Sequence, residues 1–125
     1  MAPVWNLKIL AAIKGQISGE DIKSVLIKVG LQEDMNKKYR KYSLGMKQKL
    51  GIATAIMEQP DIVILDEPAN VLDEKKKEKM WELVKEERDR GALVIISCHT
   101  DEILENVSDE IYKMDSGCIK THIIL

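Results

Sequence analysis

The pattern of hydrophobic and polar residues divides the chain into a helical first part and a second part in which strands and helices alternate. Apolar residues recur at helical spacing through residues 1–58, whereas residues 62–65 and 93–96 are continuous apolar runs. Short runs of this kind are typical of fully buried parallel strands. The order predicts an α/β fold class: a helical subdomain in residues 1–58, then parallel strands with helices and a C-terminal hairpin in residues 59–125.

Two short helices are predicted before residue 31. Apolar residues at positions 7, 10 and 11 begin the first, and Gly15 can end it. Ser18 is a typical N-cap for the second, because Asp21 follows three residues later in a capping box, and Gly30 is a typical stop. The inward face of this second helix consists of Ile22, Val25, Leu26 and Val29.

A third helix is predicted over residues 44–58, before Pro60. Its apolar stripe, which indicates core packing rather than a cofactor site, consists of Met46, Leu50, Ala53 and Met57. Asp73 can cap a charged surface helix over residues 74–90, which Gly91 closes and which turns Met80, Leu83 and Val84 inward. The remaining elements are a short helix at residues 101–107 and a hairpin formed by residues 110–114 and 118–124.

Two adjacent carboxylates follow the first apolar run. Asp66 and Glu67 come directly after residues 62–65, and Pro68 ends the strand pattern. The carboxyl end of a parallel strand is where open α/β sheets bind ligands. One carboxylate there can hold Mg²⁺, and the other can position or deprotonate a water molecule. A charged turn that only ends the strand is the alternative explanation.

Ser43 and Gly45 stand at the start of the predicted helix at residues 44–58. Capping alone explains a serine at this position. Glycine in the first turn costs about 1 kcal/mol relative to alanine, and this cost is easier to understand if backbone N–H groups must approach an anion closely. These residues alone therefore leave two explanations open: Ser43 only caps the helix, or the start of the helix binds an anion.

Four stretches together resemble the ABC transporter family. Residues 42–50, Tyr-Ser-Leu-Gly-Met-Lys-Gln-Lys-Leu, are similar to its signature motif, residues 62–67 to its Walker B strand, residues 70–73 to its D-loop, and residues 96–99, Ile-Ser-Cys-His, to its H-loop. They occur in the family's order. Leu44 and Met46 depart from the commonest signature and resemble the variant of bacitracin, bacteriocin and multidrug exporters. The resemblance implies part of a P-loop NTPase fold, with the signature helix closing the helical subdomain and a partial catalytic core after it.

The resemblance also implies roles for the acids and the histidine. Asp66 would reach Mg²⁺ through water, and Glu67 would be the general base for the water that attacks ATP. His99, which alone is equally well explained as a structural histidine, would hydrogen-bond the γ-phosphate. Asp73 would belong to a loop at a dimer interface, and departures from the family pattern at Ala69 and Val71 put that loop's flexibility in doubt.

The signature residues imply a partner. In the family, the positions of Ser43, Gly45 and Met46 bind the γ-phosphate of ATP held by the opposite subunit of a head-to-tail dimer. The implied partners are a second ATP-binding cassette and a transmembrane permease subunit. The implied function is the ATP-binding and ATP-hydrolysing subunit of a transporter that exports a peptide antibiotic or a drug.

The chain resembles only the C-terminal portion of such a cassette. No Gly-x-x-x-x-Gly-Lys-Ser/Thr phosphate loop occurs in its sequence. We therefore expect that the isolated chain neither binds ATP tightly nor hydrolyses it, and that residues 2–4, Ala-Pro-Val, mark a cut rather than a domain boundary. The alternative function is a truncated, non-catalytic cassette that acts as an interaction module on an intact ATPase or membrane domain.

Net charge and hydropathy restrict the classes of partner and the cellular location that the sequence predicts. The net charge of −2 gives no reason to expect nucleic-acid binding, and the basic cluster at residues 37–41 is most simply a solvated loop, although it could attract phosphates. No apolar run reaches the length of a membrane span, and no signal-peptide pattern begins the chain. The sequence predicts a cytoplasmic protein, peripheral on the inner face of the cell membrane through a permease.

The missing phosphate loop also has a consequence for the sheet. In the family, the strand before that loop lies between the histidine strand and the strand near Glu110. Its absence predicts an unpaired hydrophobic edge, which favours association. Three ways to close the gap are open: rearrangement of the hairpin, a strand-swapped dimer, or aggregation.

Overall fold

A computed structural model describes residues 18–99 and 101–125. The helix predicted around residues 7–11 lies outside the described residues. The described elements are α1 (Gly19–Lys28), the 3₁₀ turns Gln32–Asp34 and Tyr39–Lys41, α2 (Leu44–Ile56), β1 (Ile62–Asp66), α3 (Glu74–Asp89), β2 (Leu93–Ser97), α4 (Asp101–Val107), β3 (Glu110–Asp115) and β4 (Cys118–Ile124). Within these ranges, no helix is both long and apolar enough to cross a bilayer.

The helix boundaries follow from local chemistry, as predicted. The Ser18 hydroxyl accepts from the Asp21 N–H at 3.2 Å, while the Ser18 N–H donates to the Asp21 carboxylate at 3.3 Å, which completes the capping box of α1. Gly30 and Gly91 follow α1 and α3 with φ of +83° and +98°, a left-handed conformation that glycine adopts without steric cost. These predictions are confirmed.

The strands β1 and β2 pair in parallel, with Ile62 opposite Leu93 and Asp66 opposite Ser97. Helix α3 makes the crossover between them. The parallel arrangement predicted from the two apolar runs is confirmed. Its consequence is that the two strands end side by side, so the residues that follow them meet at one edge of the sheet.

The prediction that both strands are fully buried is wrong. Burial alternates along β1: Val63 is 2% exposed and faces the core, whereas Ile64 is 68% exposed. The corresponding residues of β2, Leu93 and Ile95, are also exposed, and no residue of β2 is fully buried. The reason is that the helices among the described residues pack on one face of the sheet, so alternate side chains point to solvent.

One hydrophobic core joins the three longer helices to the sheet. Fully buried side chains from α1 and β1 lie at its centre, namely Ile22, Leu26 and Val63. The stripe of α2 packs on the same core, with Ala53 and Met57 buried and Met46 and Leu50 partly buried. The division of the chain at residues 58 and 59 stays a prediction.

The hairpin β3–β4 forms where it was predicted. Ser116 and Gly117 connect the strands with φ of +50° and +76°, the left-handed pair that matches the twist of a two-residue hairpin. Among the described residues, its strands pair only with each other, and β1 and β2 form a separate sheet. A hairpin rearranged onto the open sheet is therefore wrong for the single chain, because in the described part of the chain neither hairpin strand pairs with β1 or β2. Strand swapping and aggregation stay predictions.

Candidate functional site

The site begins where β1 ends. Asp66 is the last residue of β1 and lies directly opposite Ser97, the last residue of β2. The Ser97 hydroxyl donates a hydrogen bond to the Asp66 carboxylate, and both residues are exposed. The parallel register therefore presents a carboxylate and a hydroxyl together at the open edge, where their remaining lone pairs can take a cation or water.

Glu67 leaves the strand in an unusual backbone conformation. Its φ is +46°, in the left-handed region that non-glycine residues rarely adopt. Three hydrogen bonds hold it there. The Glu67 N–H donates to the Ser97 carbonyl at 2.9 Å, and the Glu67 carbonyl accepts from the Asn70 N–H at 3.2 Å and the Gln48 side-chain amide at 3.3 Å. A residue keeps such a conformation when several contacts with the surrounding structure fix its backbone.

This conformation places the Glu67 side chain against His99. The Glu67 Oε1 and the His99 Nε2 lie 2.9 Å apart. The Glu67 side chain is 25% exposed and that of His99 is 88% exposed, so the histidine stands towards solvent and the carboxylate lies behind it. A carboxylate held beside an imidazole can accept a proton from a water molecule, while the imidazole can donate a hydrogen bond to an incoming anion.

Ser43 and Gly45 begin α2 as predicted. The Ser43 hydroxyl accepts from the Met46 N–H at 3.2 Å, so the capping role of Ser43 is confirmed. At Gly45, an added Cβ would lie 3.7 Å from the Leu72 side chain, an ordinary contact, and the backbone is not left-handed. Among the described residues, neither a close contact nor a left-handed backbone requires glycine here.

The side chains of Met46 and Asp73 both have structural contacts within the chain. The Met46 side chain packs against the core, so the part of this residue nearest the helix start is its backbone. Asp73 caps α3 and accepts from the Lys76 N–H at 2.9 Å. That backbone hydrogen bond is the main reason that the pKa of Asp73 is lowered, and the nearby Lys76 charge lowers it further.

The structure thus brings together some predicted residues and not others. Asp66, Glu67 and His99 form one group at the end of the sheet, joined through Ser97. The start of α2 is connected to this group by Gln48. Among the described residues, no hydrogen bond or ion pair links Asp73 to that group.

Two positioning residues were missed by the prediction from sequence. Gln48 lies within residues 42–50, the stretch similar to the signature motif, and Ser97 precedes His99 by two residues. The signal for Ser97 was present, because equal lengths of parallel strand place it opposite Asp66. Gln48 had no such signal, since its contact with the Glu67 carbonyl depends on how α2 packs beside β1.

Comparison with known proteins gives a consistent result. Residues 6–70, a little more than half of the chain, match the family described as ABC transporter. The chain is 43% identical over 116 residues to the uncharacterised ABC transporter ATP-binding protein YybJ of Bacillus subtilis and 41% identical over 113 residues to the bacitracin transport ATP-binding protein BcrA of Enterococcus faecalis. These matches cover 93% and 90% of this chain but 53% and 37% of the relatives, so the chain spans about half of their length or less.

Solved structures agree with the fold. The structure of an ATP-binding subunit of an ABC transporter superposes with a TM-score of 0.88 at 25% identity, and covers all of this chain and 53% of the solved one. The ADP-bound cassette MJ1267 superposes with a TM-score of 0.71 at 24% identity over 85% of this chain and 42% of the solved one. The described elements are therefore arranged as in part of an ABC ATPase, which is a P-loop NTPase fold.

Proposed function

We infer the function of this chain from the premise that it belongs to the ABC transporter family. We propose that it carries the second part of a site that binds and hydrolyses ATP, within the ATP-binding subunit of a transporter. The observation that carries this proposal is the contact between Glu67 and His99, 2.9 Å apart, beside Asp66 at the common end of two parallel strands. A carboxylate base, a histidine and a metal-binding acid are the side chains that such a hydrolysis needs.

Glu67 is the proposed general base. It accepts the proton of the attacking water, while His99 donates a hydrogen bond to the terminal phosphate and keeps the water in line. The geometry supports this division of roles, because the carboxylate is the more buried of the two and the imidazole faces the open edge. Ser97 and Gln48 are the proposed positioning residues, since they hold the backbone of Glu67.

Asp66 is the proposed magnesium ligand. In the described ranges, no group of three histidine, cysteine or acidic side chains could hold a metal by protein ligands alone. This donor set fits Mg²⁺ with a nucleotide, because that ion takes one or two carboxylates and fills the rest of its shell with phosphate oxygens and water. Asp66, with Ser97 as its neighbour, would be the protein's ligand to the ion. The bound ion would neutralise negative charge on the phosphates.

The start of α2 is the proposed contact with a second cassette. Ser43, Gly45 and the backbone of Met46 would bind the γ-phosphate of ATP held by the opposite subunit in a head-to-tail dimer. The space beside Gly45 supports this proposal, since no close contact with a described residue and no left-handed backbone requires the glycine. Asp73, which caps α3 from the preceding loop, would lie at the same interface.

The names of the relatives support a proposal for the class of molecule that the transporter carries. Two are a bacitracin transport ATP-binding protein of Enterococcus faecalis and a lantibiotic transport ATP-binding protein of Streptococcus pyogenes, 41% and 35% identical to this chain. We propose peptide-antibiotic export as the process, with a transmembrane permease as partner and the cytoplasmic face of the membrane as location.

The 125-residue chain by itself is proposed to be inactive. The phosphate-loop pattern is absent from its sequence, and with it the backbone N–H groups that cradle the nucleotide phosphates. Isothermal titration calorimetry of the chain with Mg-ATP should detect no tight binding. Micromolar binding would contradict this proposal and would require a phosphate site elsewhere in the chain.

The decisive experiment joins the phosphate-loop portion of an ATP-binding protein of this family to residue 1 and measures ATP hydrolysis. The chimera should hydrolyse ATP, and Glu67→Gln should slow it by about 10²-fold or more, because the amide cannot accept the proton. Glu33→Gln removes an exposed carboxylate from the 3₁₀ turn Gln32–Asp34 and is the matched control. Its rate should equal that of the unchanged chimera.

Two results would separate this function from its alternative. A folded chimera that binds ATP but hydrolyses it no faster than its Glu67→Gln variant would indicate the non-catalytic interaction module. Conversely, loss of hydrolysis in Glu67→Gln with retained ATP binding would support the assigned base.

A further inference from the structure

A cleft of about 260 Å³ lies between the end of α1, the middle of α2 and the first turns of α3. Five lysines line it: Lys28, Lys49, Lys75, Lys76 and Lys79. Asp73 is the one acidic side chain among its described lining residues. Ser43, Gly45 and Asp66 do not line it, so the cleft is a different place from the group around Glu67.

The positive charge of this lysine cleft is only partly neutralised. Lys28 pairs with Glu86 at 3.2 Å, and Lys76 pairs with Asp73 at 3.7 Å. Lys49, Lys75 and Lys79 form no ion pair with any described residue. Three lysines without a carboxylate partner among the described residues therefore line a shared concave space, where their potentials add.

Lys49 is the most confined of these groups. It is half-buried on α2, and a Cβ placed on Gly30 would come within 3.4 Å of its Nζ. Burial lowers the pKa of Lys49, and the charges of Lys76 and Lys79 lower it further, whereas Asp73 and Asp34 oppose the change. An anion placed among these lysines would compensate the repulsion that the chain leaves unbalanced.

The floor of the cleft is apolar. Ile52, Leu72, Met80 and Leu83 line it, and each of them is buried in the core. A simple hydrated ion would gain nothing from such a floor, whereas a ligand with an apolar body would remove that body from water. Lysine is a compact point charge that suits phosphate.

We propose that the lysine cleft binds a phosphate monoester carried on an apolar body. The phosphate would lie among Lys49, Lys75 and Lys79, and the apolar body would contact Leu72 and Met80. This inference does not rest on the proposed ATP-dependent function, because none of the proposed hydrolytic residues lines the cleft. The same chemistry is present in a free organic phosphate monoester and in the headgroup of phosphatidic acid.

The test uses the 125-residue chain and 1-naphthyl phosphate, followed by fluorescence titration. Saturable binding is expected with a dissociation constant below about 1 mM. The variant Lys49→Gln with Lys79→Gln should weaken binding about tenfold, since it removes two of the three lysine charges proposed to contact the phosphate. The matched control, Lys38→Gln with Lys120→Gln, removes the same net charge from exposed positions outside the cleft and should change affinity by less than about twofold.

Further experiments identify the source of the phosphate and test whether the apolar floor of the cleft contributes to binding. Sedimentation with vesicles that contain phosphatidic acid, whose headgroup is a phosphate monoester, against phosphatidylcholine vesicles, tests the lipid. Binding there that depends on Lys49 and Lys79 assigns the cleft to a lipid headgroup. Binding of naphthyl phosphate alone assigns it to a free organic phosphate. The proposal is overturned if no probe binds, if the two double variants bind equally, or if inorganic phosphate binds as tightly as naphthyl phosphate.

Discussion

At the scale of single residues, the backbone of Glu67 decides where its carboxylate points. A left-handed φ at a non-glycine residue costs about 1 kcal/mol or more, and here hydrogen bonds to Ser97, Asn70 and Gln48 offset it. The same conformation turns the side chain towards His99. The strain is therefore located at the residue that we propose as the base.

Ser43 and Gly45 allow capping to be separated from ligand binding. Ser43→Ala should lower the free energy of unfolding of this chain by about 1 kcal/mol, because the Met46 N–H loses its acceptor. Gly45→Ala should leave it unchanged or raise it by up to about 1 kcal/mol, because the added methyl group fits and alanine favours a helix. Urea denaturation measures both.

The functional counterpart uses the chimera described above. Gly45→Ala should reduce its ATP hydrolysis although the fold is as stable as before, since a methyl group would keep the anion from the helix start. A Gly45→Ala chimera with full activity would show that this glycine has no role in binding.

Asp73 should make stability depend on pH in a defined direction. Its folded-state pKa is lowered, so it contributes stability above the ordinary aspartate pKa, and that stability is lost as pH falls through the lowered folded value. Asp73→Asn keeps a capping side chain but cannot ionise. The difference in unfolding free energy between wild type and Asp73→Asn should therefore grow as pH rises through the acid range to above the ordinary aspartate pKa.

Urea denaturation at a series of pH values checks this prediction. Asp21→Asn, which alters the capping box of α1 instead, is the comparison variant, because it changes an exposed acid at another helix start. A constant difference between wild type and Asp73→Asn across the acid range would contradict the assignment.

At the scale of elements, one arginine connects the end of α3 to the segment before β1. The Arg90 guanidinium donates to the Glu87 carboxylate at 2.7 Å through Nε, and to the carbonyls of Gln59 and Pro60 at 3.3 and 2.6 Å. Glu87 is 7% exposed, so its charge is separated from water. These contacts determine where β1 begins relative to the crossover helix.

Arg90→Met should destabilise the chain by about 2–3 kcal/mol, because it leaves the buried Glu87 charge unpaired and two carbonyls without their donor. The partial exposure of Arg90 keeps the value below that of a fully buried pair. Adding Glu87→Leu should recover much of the loss, since the uncompensated charge is then gone. A double-mutant cycle by chemical denaturation measures the coupling, with Arg40→Met as the exposed control.

Additive effects of the two substitutions would show that the pair contributes nothing beyond its separate side chains. Destabilisation of similar size in Arg40→Met would show that loss of any arginine has this effect. Either result would contradict the role assigned to Arg90.

At the scale of the whole molecule, the sheet is covered on one face only among the described residues. Four large apolar side chains stand exposed on the other face of β1 and β2: Ile62, Ile64, Leu93 and Ile95. Apolar surface of this kind, next to an unpaired strand edge, favours association between copies. The chain should accordingly associate as its concentration rises.

Ile64→Thr with Ile95→Thr should weaken that association and leave the unfolding free energy almost unchanged, because both side chains already face solvent. Val63→Thr is the matched control on the opposite face of the same strand. It should cost about 2 kcal/mol, since it buries a hydroxyl in the core. Sedimentation velocity across a concentration series measures association, and urea denaturation measures stability. A wild-type chain that stays monomeric at every concentration would contradict the prediction.

Local patterns predicted most of the elements because their causes are local. A capping box at Ser18, a left-handed glycine at position 30 and a tight turn before Cys118 need only neighbouring residues. The candidate site residues were predicted too, since Asp66, Glu67 and His99 follow strand patterns that end at a common edge. The family resemblance of residues 42–50 and 62–67 agrees with the match of residues 6–70.

The sequence by itself determined which residues are candidates for the chemistry and which segments are helices and strands, because capping, turn conformation and side-chain periodicity act within a few residues. Only the tertiary structure decided that Gln48 holds the Glu67 carbonyl, that five lysines surround one cleft, and that alternate residues of both strands face solvent. Those facts depend on contacts between residues far apart in the chain. Such contacts are set by how the helices pack on one side of the sheet, which no local pattern records.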